Sequence, residues 1–141
     1  MGGKGIVENH YFIRLILQLD IYQKRENFLK AHNRYKFVES VKFFGSIIIS
    51  HQLENDLNYL YFDALYLNLP LIHNSLRLKD FGYYYPHNDV EIASEQINKI
   101  IKNHDKNISK YKVATKNLIE AYGINNHQNK KEYLKLINDE L

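Results

Sequence analysis

Residues 46 to 86, SIIISHQLENDLNYLYFDALYLNLPLIHNSLRLKDFGYYYP, alternate short apolar runs with polar, turn-prone endings. Ser46-Ile47-Ile48-Ile49-Ser50 is β-branched and short, as in a strand buried on both faces. A helical stretch follows over about 53 to 68, then a second apolar run, Leu69 to Ile72, and a third, Gly82-Tyr83-Tyr84-Tyr85. Strand, helix, strand, connector, strand is the order that builds a parallel sheet through crossover connections. Each run ends in groups able to hydrogen-bond a ligand: His51-Gln52, His73-Asn74-Ser75 and Pro86-His87-Asn88. Ligands of open parallel sheets bind beyond the carboxyl ends of the strands. The three polar tails therefore predict a ligand-binding rim.

The rest of the chain frames this block with helices. Residues 1 to 7 are expected to be a flexible start; no strand precedes Gly2-Gly3-Lys4-Gly5, and the spacing of a phosphate loop is absent. Tyr11, Phe12, Leu15 and Leu19 form a helical stripe within 8 to 22, and Phe37, Val41 and Phe44 recur at helical spacing within 35 to 44. A short strand is expected over 27 to 31. After the central block Asn88 is expected to cap a helix, with Glu91 as its reciprocal partner. That helix places Val90, Ile92, Ala93, Ile97, Ile100 and Ile101 on one broad face. A second helix runs from 109 to 122 and ends at Gly123 in a left-handed conformation, and a third follows Asn129. The expected fold is one α/β domain over 1 to 141: a Rossmann-like parallel sheet of about four strands flanked by helices, with a helical C-terminal part over 89 to 141.

Length and composition narrow the functional classes. A chain of 141 residues supports one core of ordinary size, and 45% hydrophobic with 25% charged residues is a globular balance. The net charge of +3 is too small to argue for nucleic acid, and no aromatic-basic stripe is visible. Lysines lie beside acids, as in Lys24-Arg25-Glu26, and read as solvated helix faces. No cysteine is present, which excludes disulfides and thiolate zinc sites and agrees with a cytoplasmic setting. No apolar run approaches the roughly 18 residues of a membrane span. His10, His32, His87, His104 and His127 share no spacing, so no metal is expected.

The chemistry-bearing residues cluster in the helix after the first run. Its opening turns are expected to hold Glu54, Asn55, Asp56, Leu57, Asn58 and Tyr59, where free N–H groups and the helix dipole favour a phosphate. Asp63, about two turns beyond Asn55, is expected to share its face. A carboxylate there can accept two hydrogen bonds from vicinal hydroxyls of a sugar. Plainer readings stand beside these: Asp63 in an ion pair with a neighbour, His51 and His73 capping strands, and Tyr83 to Tyr85 packing in the core.

The segment resembles the nucleotide-sugar-binding, C-terminal half of a GT-B glycosyltransferase. That family carries a serine-rich strand end, a glutamate, a Phe-Gly-Leu-type turn, a second glutamate, then Ala-Met-Ala-x-Gly-x-Pro and a strand. Asp63-Ala64-Leu65-Tyr66-Leu67-Asn68-Leu69-Pro70 matches the second part, with Asp63 for glutamate and Asn68 for glycine. Asn55 falls at the first glutamate, and Asn58-Tyr59 at the Gly-Leu pair. Ser50-His51-Gln52, Asn58-Tyr59-Leu60-Tyr61, His73-Asn74-Ser75 and Gly82-Tyr83-Tyr84-Tyr85-Pro86 are similar still more closely to a poorly characterised group of GT-B-like proteins of bacteria and large viruses. The close match covers residues 46 to 90, the expected donor-binding core.

The resemblance implies glycosyl transfer from a nucleoside diphosphate sugar without an obligatory metal or other cofactor. Asp63 would bind the ribose hydroxyls, and the N–H groups of Asn58 and Tyr59 would meet the diphosphate. Asn55, His51, His73 and Asn74 would line the sugar side, and Tyr85 would stack on a base or sugar. Lys30 and Arg34 are the nearest candidates for the basic pair of that family. The general base is expected on an N-terminal, acceptor-binding lobe outside these 141 residues. The other class of function is a non-catalytic module, derived from such a lobe, that binds a nucleotide or a partner protein.

Overall fold

The computed structural model describes residues 8–24, 32, 36–44 and 47–139. The expected flexible start, the strand expected over 27 to 31, and Lys30 and Arg34 lie outside the described residues. The chain divides into two compact units, Met1–Phe44 and Gly45–Leu141.

In the first unit the described stretches 8–24 and 36–44 fold as helices, as their periodicity predicts. α1 spans His10–Gln18 and is capped by Asn9, whose side chain accepts from the N–H of Tyr11 and Phe12 at 3.0 and 3.1 Å. The single helix expected to run to residue 22 is broken at Leu19, which is extended (φ −72, ψ 129). α2 then runs Asp20–Lys24, closed by an exposed ion pair of 2.6 Å between its end residues. α3 spans Phe37–Phe44.

The second unit holds the sheet. β1 (Ile48–Ser50), β2 (Leu71–His73) and β3 (Tyr83–Tyr84) are parallel in the order β1-β2-β3. Register pairs Ile48 with Leu71 and Ser50 with His73 on one side, and Ile72 with Tyr83 on the other. The three apolar runs thus become three parallel strands, each shorter than its run. The described residues contain three strands where about four were expected. The middle strand is wholly buried, and its flanks explain the residue choice. α4 (Tyr59–Tyr66) buries Tyr61, Ala64 and Leu65, while α5 (Val90–Asn103) packs Ile92, Ala93, Ile97 and Ile100 around Ile72 and Tyr85. Val90 and Ile101, expected on that same face, are exposed instead. Burying each of Leu65, Leu71, Ile72 and Leu78 contributes roughly 1.5–3 kcal/mol.

Helix ends show where local chemistry chose differently from the expected pattern. α5 is capped by Asp89 rather than Asn88: the Asp89 carboxylate accepts from Ile92 N–H at 2.9 Å. After a short 3₁₀ turn (Asp105–Asn107), α6 runs Ile108–Tyr122. It lies against α4, with Phe62 and Tyr122 edge to face at 5.2 Å, and the Tyr111 hydroxyl donates to Leu69 C=O at 2.8 Å. Gly123 ends α6 in an extended conformation (φ −73), not the left-handed one expected. The Asn129 amide donates to Ala121 and Gly123 carbonyls, which positions α7 (His127–Asp139) without a glycine turn.

The glycine that matters is Gly82, at φ +64, just before β3. A Cβ there would lie 2.8 Å from Leu71 C=O and 3.3 Å from the His73 ring. Gly82→Ala combines that overlap with left-handed strain, and is expected to cost about 2 kcal/mol or more of unfolding free energy. Urea unfolding followed by far-UV circular dichroism measures it; an unchanged midpoint contradicts the close packing of β3's entry on β2.

Candidate functional site

The polar tails of β1, β2 and β3 meet at the carboxyl end of the sheet, and they meet mostly by bonding one another. Asn74, the residue after β2, acts as a side-chain peptide. Its Oδ1 accepts from Gln52 N–H at 2.8 Å and its Nδ2 donates to Gln52 C=O at 2.9 Å. A longer contact of 3.4 Å reaches His87 C=O. The parallel ladder is thereby carried one residue past the strands.

The segment 51 to 58 is a loop, not the opening turns of a helix. Glu54 sits at φ 56. The Gln52 side chain bonds Asn55 N–H through Oε1 and the Asp56 carboxylate through Nε2, the latter at 3.1 Å. Asp56 in turn accepts from Leu76 N–H (3.3 Å), and its carbonyl accepts from the Ser75 hydroxyl (2.7 Å). Short polar side chains that bond nearby backbone compete with helix formation, and here they win over six residues of expected helix, 53 to 58. α4 begins only at Tyr59, with Asn58 as its cap bonding Leu60 N–H at 3.0 Å.

This corrects several site expectations. Asn55 lies in the loop, so it shares no helix face with Asp63. Asp63 is exposed on α4, one turn after Tyr59, which is 86% exposed. His73 does not line a sugar site: it is 0% exposed and both ring nitrogens are engaged. Ser75 N–H donates to Nδ1 at 3.2 Å, so Nε2 carries the proton and donates to Phe81 C=O at 2.8 Å. Tyr85 does not offer a ring face for stacking either. It is 5% exposed, and its hydroxyl lies 2.9 Å from Nδ1 of His51. Asn74 is consumed by the Gln52 clamp.

What faces outward is a smaller set: the exposed His51 ring, the Asn55 side chain, Asp63, Tyr59, and the N–H groups of Asn58 and Tyr59, which no described residue engages. Sequence reading missed Gln52 and Asp56 as the builders of this loop. The available signal was Asp56, since Asp side chains hydrogen-bond nearby backbone in turns; nothing local marked Gln52. It also missed the second aromatic cluster, where the Tyr83 hydroxyl meets His104 Nδ1 at 2.9 Å and Tyr111 stacks on Tyr83 at 6.0 Å. A groove of 390 Å³ lies elsewhere, between the last turn of α4 and α6, lined by Leu65, Tyr66, Asn68, Lys112 and Thr115. Among the described residues no group of His, Asp and Glu is gathered to hold a metal, and no helix is long and apolar enough to cross a membrane.

Burial lowers the His73 pKa below the ordinary imidazole value, outweighing the Phe81 carbonyl that raises it. As pH falls below about 6.5, the unfolded chain takes up this proton before the folded one, so stability is lost toward acid. Unfolding free energy measured between pH 7.5 and 5 is expected to decline, with a shallower slope in His73→Gln. For the clamp, Asn74→Ala is expected to cost about 1–3 kcal/mol and to speed amide hydrogen exchange at Gln52 more than at Ile72. Equal effects at both amides contradict the local role.

Against known proteins, no curated protein and no solved structure matches this chain. One family model does, a protein of unknown function (DUF2827), over residues 4–137. That match covers nearly the whole sequence, both units included. The chain belongs to the DUF2827 family.

Proposed function

We propose that this chain is the donor-binding part of a glycosyltransferase, holding a nucleoside diphosphate sugar at the carboxyl rim of its parallel sheet. The observation that carries the reading is the start of α4. It opens at the rim immediately after Asn58, and the N–H groups of Asn58 and Tyr59 are engaged by no described residue. A helix start of this kind favours a diphosphate through its dipole and its free donors. Asp63, exposed one turn further on, is the acid within reach of ribose hydroxyls, and His51 and Asn55 flank the sugar side. The chemistry is departure of the diphosphate, which needs positive potential and hydrogen-bond donors and no obligatory metal. An acceptor-binding lobe supplies the general base, and the setting is cytoplasmic, in a bacterium or the host of a large virus.

A second reading, a non-catalytic module binding a nucleotide or a partner protein, is favoured by one residue. Asn55 stands where the resembling enzymes carry a charged glutamate, and its side chain has no charge to offer. Thermal shift with UDP, GDP, ADP and CMP tests the first reading. One nucleoside diphosphate is expected to raise the melting temperature by a few degrees, as roughly 100-fold excess over Kd stabilises by about 2.7 kcal/mol. Asp63→Ala, an exposed substitution with little cost to the fold, is expected to abolish that rise. Absence of any shift overturns nucleotide binding. Binding without transfer to any acceptor, when the acceptor lobe is supplied, favours the module.

A further inference from the structure

The pairing of His51 with Tyr85 joins the two outer strands across the end of the middle one. His51 follows β1 and Tyr85 follows β3, and Tyr85 N–H continues the ladder by donating to His73 C=O at 2.9 Å. The two rings lie nearly parallel, 25° apart with centroids at 6.0 Å. Tyr85 is anchored in the core beside Ile72 and Ile100, so its hydroxyl has a fixed origin, whereas His51 is exposed. The Tyr85 hydroxyl has one partner among the described residues, Nδ1 of His51 at 2.9 Å. Burial pushes ionisation of this phenol up, which keeps its proton in place. An imidazole nitrogen is a better acceptor than a phenol oxygen, so the proton points at Nδ1. The ring's remaining hydrogen then sits on Nε2, which no described residue engages.

We propose that Tyr85 is a positioning residue that locks His51 in the tautomer with a bare Nδ1, so that its Nε2–H stands out from the rim as a donor to an oxygen of the bound nucleotide sugar. The ligand part rests on the donor-binding reading above; the tautomer part does not. The oxygen belongs either to the diphosphate or to a sugar hydroxyl, and both accept the same hydrogen bond. In this arrangement a buried core tyrosine acts on the ligand through a histidine it never lets rotate.

Long-range ¹H–¹⁵N spectra of the histidine rings test it on the whole chain, with the His51 signals assigned by their loss in His51→Gln. The wild-type protein is expected to show His51 in the Nε2–H tautomer alone. Tyr85→Phe, which removes one oxygen and keeps the ring, is expected to give a mixture of tautomers while its circular dichroism stays that of the wild type. A mixture already present in the wild type, or an unchanged tautomer in Tyr85→Phe, overturns the positioning role. Pyrophosphate, UDP and UDP-glucose are then titrated while the Nε2 signal is followed. Movement with pyrophosphate and UDP assigns the diphosphate as acceptor; movement with UDP-glucose alone assigns the sugar. Tyr85→Phe is expected to weaken the responding ligand about tenfold, and His51→Gln, whose amide can replace the Nε2 donor, to weaken it less than His51→Ala. A locked tautomer with no response to a ligand that raises the melting temperature overturns the donor role alone; absence of any rise in melting temperature overturns nucleotide binding, and the positioning result stands in either case.

Discussion

Burial of the strand Leu71-Ile72-His73 is the constraint on which the second unit depends. It pairs with a neighbour on each side and is covered by α4 and α5, so nothing on it can be left polar and unpaired. His73 is the one polar side chain it carries, and the surrounding backbone is built to satisfy it. Ser75 N–H turns back to one nitrogen and Phe81 C=O receives the proton of the other. These two bonds bracket the connector 74 to 82 and tie it to the strand that precedes it. Gly82 can then cross so close to the ring that any side chain would collide with Leu71 C=O. An unsatisfied buried imidazole would cost about 1–3 kcal/mol, comparable to any single core side chain.

From this strand outward, polar groups sort into those that hold the rim together and those left facing solvent. Asn74, Gln52, Asp56 and Ser75 spend their hydrogen bonds on one another and on backbone, giving a loop shaped without a long helix beneath it. His51 is tethered at one nitrogen only. The N–H groups of Asn58 and Tyr59 and the exposed Asp63 carboxylate take no part in the network. A ligand arriving at the rim would therefore meet a preorganised edge, and little side-chain ordering would be charged against its affinity.

The sheet was legible because its signal is local and repeated. Three apolar runs bounded by polar turns admit few arrangements, and all three became parallel strands within two residues of their expected bounds. The C-terminal helices were legible for the same reason, from the spacing of Ile92, Ile97 and Ile100. The start of α4 was not. Leu53 to Asn58 has residues compatible with a helix, and the local bonds of Gln52 to Asn55 and Asp56 are joined by contacts with residues 74 to 76, some twenty positions away, that hold this stretch as a loop. Asn88 and Asp89 are equivalent caps by type. The turn that Asp89 N–H closes on Pro86 C=O at 3.0 Å puts Asp89 at the helix entry.

Which side chains are hidden could not be read from the chain either. His51, His73 and Tyr85 each follow or end an apolar run and look alike as candidates for a ligand. By itself the sequence determined the element order, the parallel sheet and the segments whose ends gather at one edge, because periodicity and turn chemistry act over a few neighbouring residues. Tertiary structure decided that His73 and Tyr85 face inward while His51 faces out. That choice depends on which strand is central and which helices cover it, a matter of contacts between residues far apart along the chain.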